Sequence, residues 1–178
     1  MELPTPTCVV RSYEPGDAAS LARNANNRKV WLKLRDRFPH PFSEADGAAY
    51  IAHVRSRPVA TSFAIAVDGL AVGGISLRVG EDVERLSAEL GYWLGEEYWG
   101  RGVMSDAVTV VTRYALDHLG LIRVFALPFA PNAASCRVLE KAGYQREGVM
   151  RCSAIKDGQV LDQVLYAVVR PERHSPME

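Results

Sequence analysis

The segment EYWGRGVMSDA (97–107) is the part of the sequence best suited to bind an anion. It lies between an apolar, strand-like run (88–94) and a helical pattern that starts near Ser105. Gly100 and Gly102 allow the backbone to take positive φ angles and to approach a ligand closely. The first N–H groups of a helix have no partner within the helix and lie at the positive end of its dipole. The segment is therefore predicted to hold a pyrophosphate.

The spacing of these glycines differs from that of two common phosphate-binding loops. A nucleotide-binding P-loop requires Gly-x-x-x-x-Gly-Lys followed by Ser or Thr, and a dinucleotide fingerprint requires Gly-x-Gly-x-x-Gly with an acidic residue about 20 positions later. The sequence contains neither pattern. These two classes of nucleotide-binding site are therefore excluded.

A second segment, PNAASCRVLEKAGY (131–144), carries the signals of a short helix. Asn132 is a suitable N-cap, and Val138, Leu139 and Ala142 recur at helical spacing. Gly143 is well placed as the residue that ends the helix in a left-handed conformation.

Together the two segments resemble the GNAT superfamily of acyl-CoA N-acyltransferases. The loop pattern of that family, Gln/Arg-x-x-Gly-x-Gly/Ala, aligns with residues 99–104, where Trp99 and Met104 depart from the expected residue types. The second segment resembles the family motif Asn-x-x-Ser/Ala followed by Lys/Leu-Gly-Phe/Tyr. Tyr-Trp-Gly-Arg-Gly-x-Met-Ser-x-Ala is similar to the RimJ/RimL-like branch, and the resemblance extends from about Cys8 to Arg170.

The resemblance implies an α/β (α+β) fold with a mixed, mostly antiparallel central sheet, flanked by helices. Two central strands of that sheet, ending at Leu94 and beginning at Arg123, are expected to splay apart and create the active site. Acetyl-CoA is the implied cosubstrate, and no metal is implied. The implied CoA-binding residues are the strand residues Tyr92, Trp93 and Leu94 through their backbones, the loop residues Arg101, Gly102, Val103, Met104 and Ser105, and the helix residues Asn132 and Arg137.

Two residues are candidates for catalysis by this resemblance. Glu89 is the candidate general base for the amine, since several relatives carry a catalytic Glu in this strand; its alternative role is an ion pair with a cross-strand Arg or Lys. Many relatives protonate the departing thiolate with a Tyr at the position of Leu139, so that acid is missing here. Ser135 lies one turn earlier on the same face and could donate a hydrogen bond to the sulfur; alternatively its hydroxyl bonds the helix backbone.

Two of the implied CoA-binding residues also have alternative roles. Asn132 could act as an N-cap alone, and Arg137 could be a solvated surface residue.

The segment Trp31–Phe42 lies where relatives build part of the acceptor pocket. It supplies Trp31, Arg35, Phe38 and His40 as candidate contacts for an amine-bearing substrate. The alternative is a connector stiffened by proline and anchored by aromatic side chains.

Hydrophobic periodicity and turn residues predict the elements that must position these groups. Strands are expected at Thr7–Tyr13, Thr61–Val67, the segment carrying Ile75 to Val79, Ala88–Leu94, Arg123–Phe129, Gln145–Ile155 and Gln159–Arg170. Helices are expected at Asp17–Asn26, from Ser43 to about Arg57, at Ser105–Leu119 and after Asn132. Asp68-Gly69 and Asp157-Gly158 are hairpin turns. Strand alternation places Glu89, Gly91 and Trp93 on one face and Leu90, Tyr92 and Leu94 on the other.

Composition fits one ordinary globular domain over 1–178, with a frayed tail at 171–178. The 178 residues are 48% hydrophobic and 24% charged, with a formal net charge of zero. Basic residues are interspersed with acidic ones, which disfavours nucleic-acid binding. The first residues carry no signal-peptide pattern and no apolar run is long enough to span a bilayer, so a cytoplasmic location without membrane association is expected.

Two functions therefore remain open. The first is an acetyl-CoA-dependent N-acetyltransferase that acts by direct transfer in a ternary complex on a primary amine, either a protein N-terminal α-amine or a small-molecule amine. The second is a catalytically weak relative that binds CoA as a sensor or scaffold. The chain is expected to act as a monomer or homodimer.

Overall fold

The computed structural model describes residues 1–170, and its centre is an eight-stranded sheet in the order β1-β2-β3-β4-β5-β6-β8-β7. All neighbouring strands are antiparallel except β5 and β6, which are parallel. The strands are β1 (Glu2–Pro4), β2 (Val9–Arg11), β3 (Ser62–Val67), β4 (Leu70–Val79), β5 (Ser87–Leu94), β6 (Arg123–Ala126), β7 (Gln145–Lys156) and β8 (Gln159–Val169). The mixed, mostly antiparallel sheet inferred from the sequence is confirmed.

Within residues 1–170, five α-helices flank this sheet. They are α1 (Ala18–Ala25), α2 (Arg28–Trp31), α3 (Glu44–Arg55), α4 (Val103–Asp117) and α5 (Ala133–Lys141). The helix predicted from Ser43 is confirmed with its capping box, in which the side chains of Ser43 and Asp46 bond each other's backbone N–H. The predicted tail at 171–178 lies outside the described residues.

The two hairpin turns follow the expected chemistry. Asp68 and Gly69 have φ angles of 50° and 80°, and Asp157 and Gly158 have 51° and 74°. Consecutive positive φ angles match the right-handed twist of the flanking strands. They fix the β3–β4 and β7–β8 pairings.

Helix α4 begins at Val103, two residues before the predicted start. Gly102 is its N-cap with φ of 84°, and its carbonyl accepts from the N–H of Asp106. A glycine N-cap carries no side chain to mark the boundary, so the sequence pattern places the start at Ser105 instead. By contrast, Asn132 caps α5 as predicted, since its side chain accepts from the N–H of Ser135 at 3.3 Å.

The first predicted strand, Thr7–Tyr13, is wrong in its bounds. The chain instead forms β1 and β2, joined by a turn in which Thr5 N–H donates to the carbonyl of Cys8 at 2.9 Å. The strand predicted to reach Phe129 ends at Ala126. Pro128 has no N–H for a strand ladder, and pairing resumes only as the isolated bridge of Phe129 with Gln163.

The sheet separates two apolar clusters, and β5 contributes to both. Leu90 and Leu94 are buried against α4 in the larger cluster, with Tyr92 packed against it. Trp93 packs on the opposite face against the cluster formed by α1 and α3. The predicted alternation of side chains along β5 is confirmed.

Candidate active site

The cleft opens where β5 and β6 stop pairing. The two strands are in register only from Ser87 to Glu89, opposite Arg123 to Phe125. Beyond Glu89 the β6-facing edge of β5 has no strand partner, and a cavity of about 710 Å³ opens there. The predicted splay of the two central strands is therefore present.

Two sides of this cleft are distinguished by the elements that form them. The α4 side comprises the N-terminus of α4, the start of α5 and the Tyr92 face of β5. The connector side comprises residues 33–46, which run from the segment after α2 into the first turn of α3. It also includes the opposite face of β4 and β5, which carries Arg78, Glu89 and Trp93. Residues from both sides line the same cavity.

On the α4 side, backbone donors face the cleft. Gly102, Val103, Met104 and Ser105 all line it. Within residues 1–170, the N–H groups of Val103, Met104 and Ser105 have no hydrogen-bond acceptor. Arg101 does not line the cavity, and its guanidinium lies 5.6 Å from the ring centre of Tyr98. The helix start therefore presents a set of unused donors beside the positive end of the α4 dipole.

Ser135 and Tyr92 form a hydroxyl pair beside these donors. The Oγ of Ser135 lies 2.7 Å from the phenol oxygen of Tyr92, and both residues line the cleft. Burial raises the pKa of the Tyr92 phenol well above its usual value, and the hydrogen bond with Ser135 opposes only part of that rise. A phenol that stays protonated at neutral pH can donate to Ser135, which leaves the Ser135 proton free for another acceptor.

The other predicted residues on the α4 side differ in whether they line the cleft and whether their polar groups are free. Asn132 and the exposed Arg137 line the cleft near the start of α5. The carbonyl of Leu94 already accepts from the indole N–H of Trp99 at 2.8 Å. Leu139 is fully buried in the core, so the residue at this position supplies packing rather than a polar group.

Glu89 lies on the connector side between two arginines. One carboxylate oxygen accepts from Arg35 at 2.5 Å, and the other accepts from Arg78, its register partner on β4. A substrate ammonium that approached Glu89 would compete with two guanidinium groups for the same carboxylate. This geometry favours the cross-strand ion pair over the general base.

The four acceptor-pocket candidates separate into two pairs. Arg35 and Phe38 line the cleft, and the ring of Phe38 contacts that of Trp93 with centroids 5.5 Å apart. Trp31 and His40 lie outside the lining residues and stack on each other with centroids 5.6 Å apart. Lys156 Nζ covers the Trp31 ring at 3.4 Å from its centroid.

Several side chains at the site have no counterpart among the sequence predictions, and Tyr92 and Arg78 are two of them. The sequence assigns Tyr92 a role through its backbone alone, and it assigns Arg78 none. Strand alternation gives the face of each residue, but the β4–β5 register that sets Arg78 opposite Glu89 requires the tertiary structure.

Metal-binding and membrane-spanning features are absent from the described part of the chain. Residues 1–170 contain no cluster of three or more His, Cys, Asp or Glu side chains placed to hold a metal ion. None of the helices in this range combines the length and apolar character needed to cross a bilayer.

Comparisons with known proteins agree with this architecture. A family model described as an acetyltransferase (GNAT) domain matches residues 8–145. The chain is 39% identical over 84 residues to the N-acetyltransferase YoaA of Bacillus subtilis, covering 47% of this chain and 48% of YoaA. It is 32% identical over 83 residues to the ribosomal protein uS5-alanine N-acetyltransferase of Escherichia coli, covering 47% and 43%. The chain thus spans about half the length of these relatives.

One solved structure shows the same fold over nearly the whole chain. The structure described as RimL, a ribosomal L7/L12 alpha-N-protein acetyltransferase in complex with coenzyme A, aligns with a TM-score of 0.83 at 20% identity. The alignment covers 95% of this chain and 98% of that one. At this identity the likeness concerns the fold.

Proposed function

The chain belongs to the acetyltransferase (GNAT) family, and from this premise we propose that it transfers an acetyl group from acetyl-CoA to a primary amine by direct transfer in a ternary complex. One observation carries the proposal. The unused N–H donors of α4, the Ser135–Tyr92 pair and the connector side all line one cavity, at the point where β5 and β6 separate.

The donor set on the α4 side fits the CoA moiety. Three backbone N–H groups without acceptors, beside the positive end of a helix dipole, suit the pyrophosphate oxygens. Asn132 and Arg137 line the same side, where Arg137 can pair with a phosphate. The unpaired edge of β5 at Tyr92 and Trp93 offers backbone groups to amides of the pantetheine arm. Arg101 contributes through its backbone, because its guanidinium lies outside the cavity.

Acetyl-CoA supplies an activated thioester when it is bound. In the transfer, the ammonium first loses a proton to water, and the neutral amine nitrogen then forms a bond to the carbonyl carbon. The carbon–sulfur bond breaks, the nitrogen loses a second proton to water, and the thiolate takes a proton from water. We assign Ser135 a hydrogen bond to the departing sulfur, and the contact with Tyr92 supports this role because it holds the Ser135 oxygen in position. A thiol has an ordinary pKa near 8.5, so a hydrogen bond rather than full proton transfer is sufficient help.

The ion pairs of Glu89 indicate which amine is favoured. An α-amine with a pKa near 8 is roughly a tenth neutral at pH 7, whereas a lysine-type amine near 10.4 is below about 0.1% neutral. The difference is a handicap of about 3 kcal/mol for a site without a strong base. Since both oxygens of Glu89 are engaged by arginines, the α-amine is the better acceptor for this cleft.

The named relatives support a peptide acceptor. One relative is described as acting on the alanine of ribosomal protein uS5, and the RimL neighbour as acting on ribosomal L7/L12. We infer that the acceptor is a protein N-terminal α-amine, with a small-molecule amine as the second candidate.

The experiment is a panel of amines incubated with the full chain and acetyl-CoA. The panel contains peptides beginning in Ser or Ala, the same peptides with blocked N-termini and an internal Lys, and small amines. Thiol release and mass spectrometry of the product report transfer. We expect acetylation of the free α-amines and little acetylation of the Lys peptides. Tight CoA binding without turnover on any amine would instead support the sensor or scaffold function.

A further inference from the structure

The connector side of the cleft carries several charged side chains, and cations outnumber anions. The strands contribute Arg78 and Glu89 at one register position, and the connector adds residues that line the same cavity. The charged residues in the lining on this side are Lys33, Arg35, Arg37, Asp46, Arg78 and Glu89.

Both carboxylates in this set already have partners. Glu89 accepts from Arg35 and Arg78, one on each oxygen. Asp46 closes the capping box of α3, where one oxygen accepts from the Ser43 N–H at 2.8 Å and from the Ser43 hydroxyl at 2.5 Å. Each carboxylate keeps some acceptor capacity, because a carboxylate has about four lone-pair sites, but only these two anions face the four cationic side chains on this side.

The guanidinium groups retain unused donors. A guanidinium has five N–H donors, and Arg35 and Arg78 each bond Glu89 through a single nitrogen. Their side chains remain 47% and 65% exposed. Arg37 lines the cleft, is exposed and forms no ion pair within residues 1–170. Cationic donors therefore predominate in the free bonding capacity on this side.

We propose that the acceptor is an amine that carries an anionic group close to the amine, such as an acidic peptide N-terminus. This inference rests on the proposed function and deepens it. Arg37 and the spare donors of Arg35 and Arg78 bind the carboxylates that follow the reacting amine. Guanidinium pairs with carboxylates through strong, charge-assisted hydrogen bonds. A polyamine or another polycation meets a net excess of like charge on this side.

The test uses three matched peptides with the same N-terminal Ser. Positions two and three are Glu-Glu, Gln-Gln or Lys-Lys, and the remaining residues are identical. At saturating acetyl-CoA we expect kcat/KM to fall about 10-fold or more from Glu-Glu to Gln-Gln, and further to Lys-Lys. Most of the change should lie in KM and should shrink at high salt, because exposed charges are screened. Spermidine should not be acetylated. Free glutamate, tested alongside, distinguishes a small anionic amine from an acidic peptide.

Substitutions at Arg37 test whether the connector side causes the preference for acidic peptides. Arg37→Glu should reduce the Glu-Glu to Lys-Lys ratio of kcat/KM at least about 10-fold, and Arg37→Gln should reduce it less. Arg113→Gln is the matched control, since Arg113 is exposed on α4 and does not line the cleft. It should leave the ratio unchanged.

Equal kcat/KM for the three peptides, or a ratio insensitive to Arg37→Glu, would overturn the inference. Calorimetry of each peptide in the presence of CoA distinguishes failure of this inference from failure of the proposed function. Tighter binding of the Glu-Glu peptide without any turnover would support the inference and contradict the N-acetyltransferase activity. Turnover without charge preference would do the reverse.

Discussion

The two sides of the cleft are built in different ways. The α4 side presents backbone N–H groups at one helix start and a Ser–Tyr pair close to a second helix start, which caps itself through Asn132. The connector side presents long charged side chains that come from β4, β5 and a connector distant in sequence. The helix starts of the first side depend on local chain geometry, whereas its Ser–Tyr pair and the whole of the second side depend on how distant segments meet.

This difference matches the two substrates of the proposed reaction. A CoA pyrophosphate is the same ligand throughout the family, and backbone donors at a helix start bind it with little need for particular side chains. An acceptor amine differs from one enzyme to another, and side chains on a connector can change without loss of the sheet. The comparison predicts that changes on the α4 side affect CoA binding or turnover for every acceptor, whereas changes on the connector side depend on the acceptor.

The largest expected effect is the loss of acetyl-CoA binding in Gly102→Val. Gly102 has φ of 84°, a conformation that a β-branched residue adopts only with about 1–3 kcal/mol of strain. Rebuilding this turn displaces the N–H donors of α4, and calorimetry should show at least about a 100-fold loss of affinity, corresponding to about 2.7 kcal/mol.

Gly120→Val is the matched control for that strain. Gly120 has φ of 66°, has open space where a Cβ atom would lie, and does not line the cleft. The variant should lose similar stability and keep its acetyl-CoA affinity. Unchanged affinity in Gly102→Val would contradict the assignment of this loop to the pyrophosphate.

Ser135→Ala should lower kcat by about 10- to 100-fold with little change in acetyl-CoA affinity. A hydrogen bond to a developing thiolate strengthens only in the transition state, and a bond to a charged group contributes about 1.5–3 kcal/mol. Steady-state kinetics and calorimetry on the same preparation separate the two quantities. Ser56→Ala is the control, because its hydroxyl bonds the carbonyl of His53 outside the cleft. Parallel losses of kcat and affinity in Ser135→Ala would assign Ser135 a structural role.

Glu89→Gln should reduce kcat/KM by less than about 10-fold. The ratio of wild-type to variant kcat/KM should be the same at every pH between 7 and 9. Glu89 orients Arg35 and Arg78, and its replacement weakens that arrangement without removing a proton acceptor from the reaction. A general base would instead give a loss of about 10²- to 10⁴-fold at neutral pH. That loss would recover as the amine deprotonates in solution. A pH profile with this recovery would restore Glu89 as the base.

The smallest expected effect is that of Tyr92→Phe. It removes one neutral hydrogen bond to Ser135, which contributes about 0.5–1.5 kcal/mol, so kcat should fall about 2- to 10-fold. The double variant Tyr92→Phe/Ser135→Ala should be no slower than Ser135→Ala alone, because Tyr92 acts through Ser135. Additive losses would show that the phenol contacts the reacting atoms itself.

Much of the fold followed from local signals. The Asp-Gly turns, the Ser43 capping box and the Asn132 cap act over four residues or fewer, so the sequence reveals them directly. The errors lie where a neighbouring segment ends an element. Pro128 terminates the ladder of β6, and the Thr5–Cys8 turn delays the start of the first predicted strand to Val9.

The sequence by itself determined the two helix starts of the α4 side, because glycine spacing and a capped helix are properties of contiguous residues. Only the tertiary structure decided the connector side and the Tyr92–Ser135 pair. The pairing of Glu89 with Arg35 and Arg78, and the approach of Tyr92 to Ser135, join residues 54, 11 and 43 positions apart. Such contacts depend on strand register and on the path of a connector over the sheet, and neither is encoded by a local pattern.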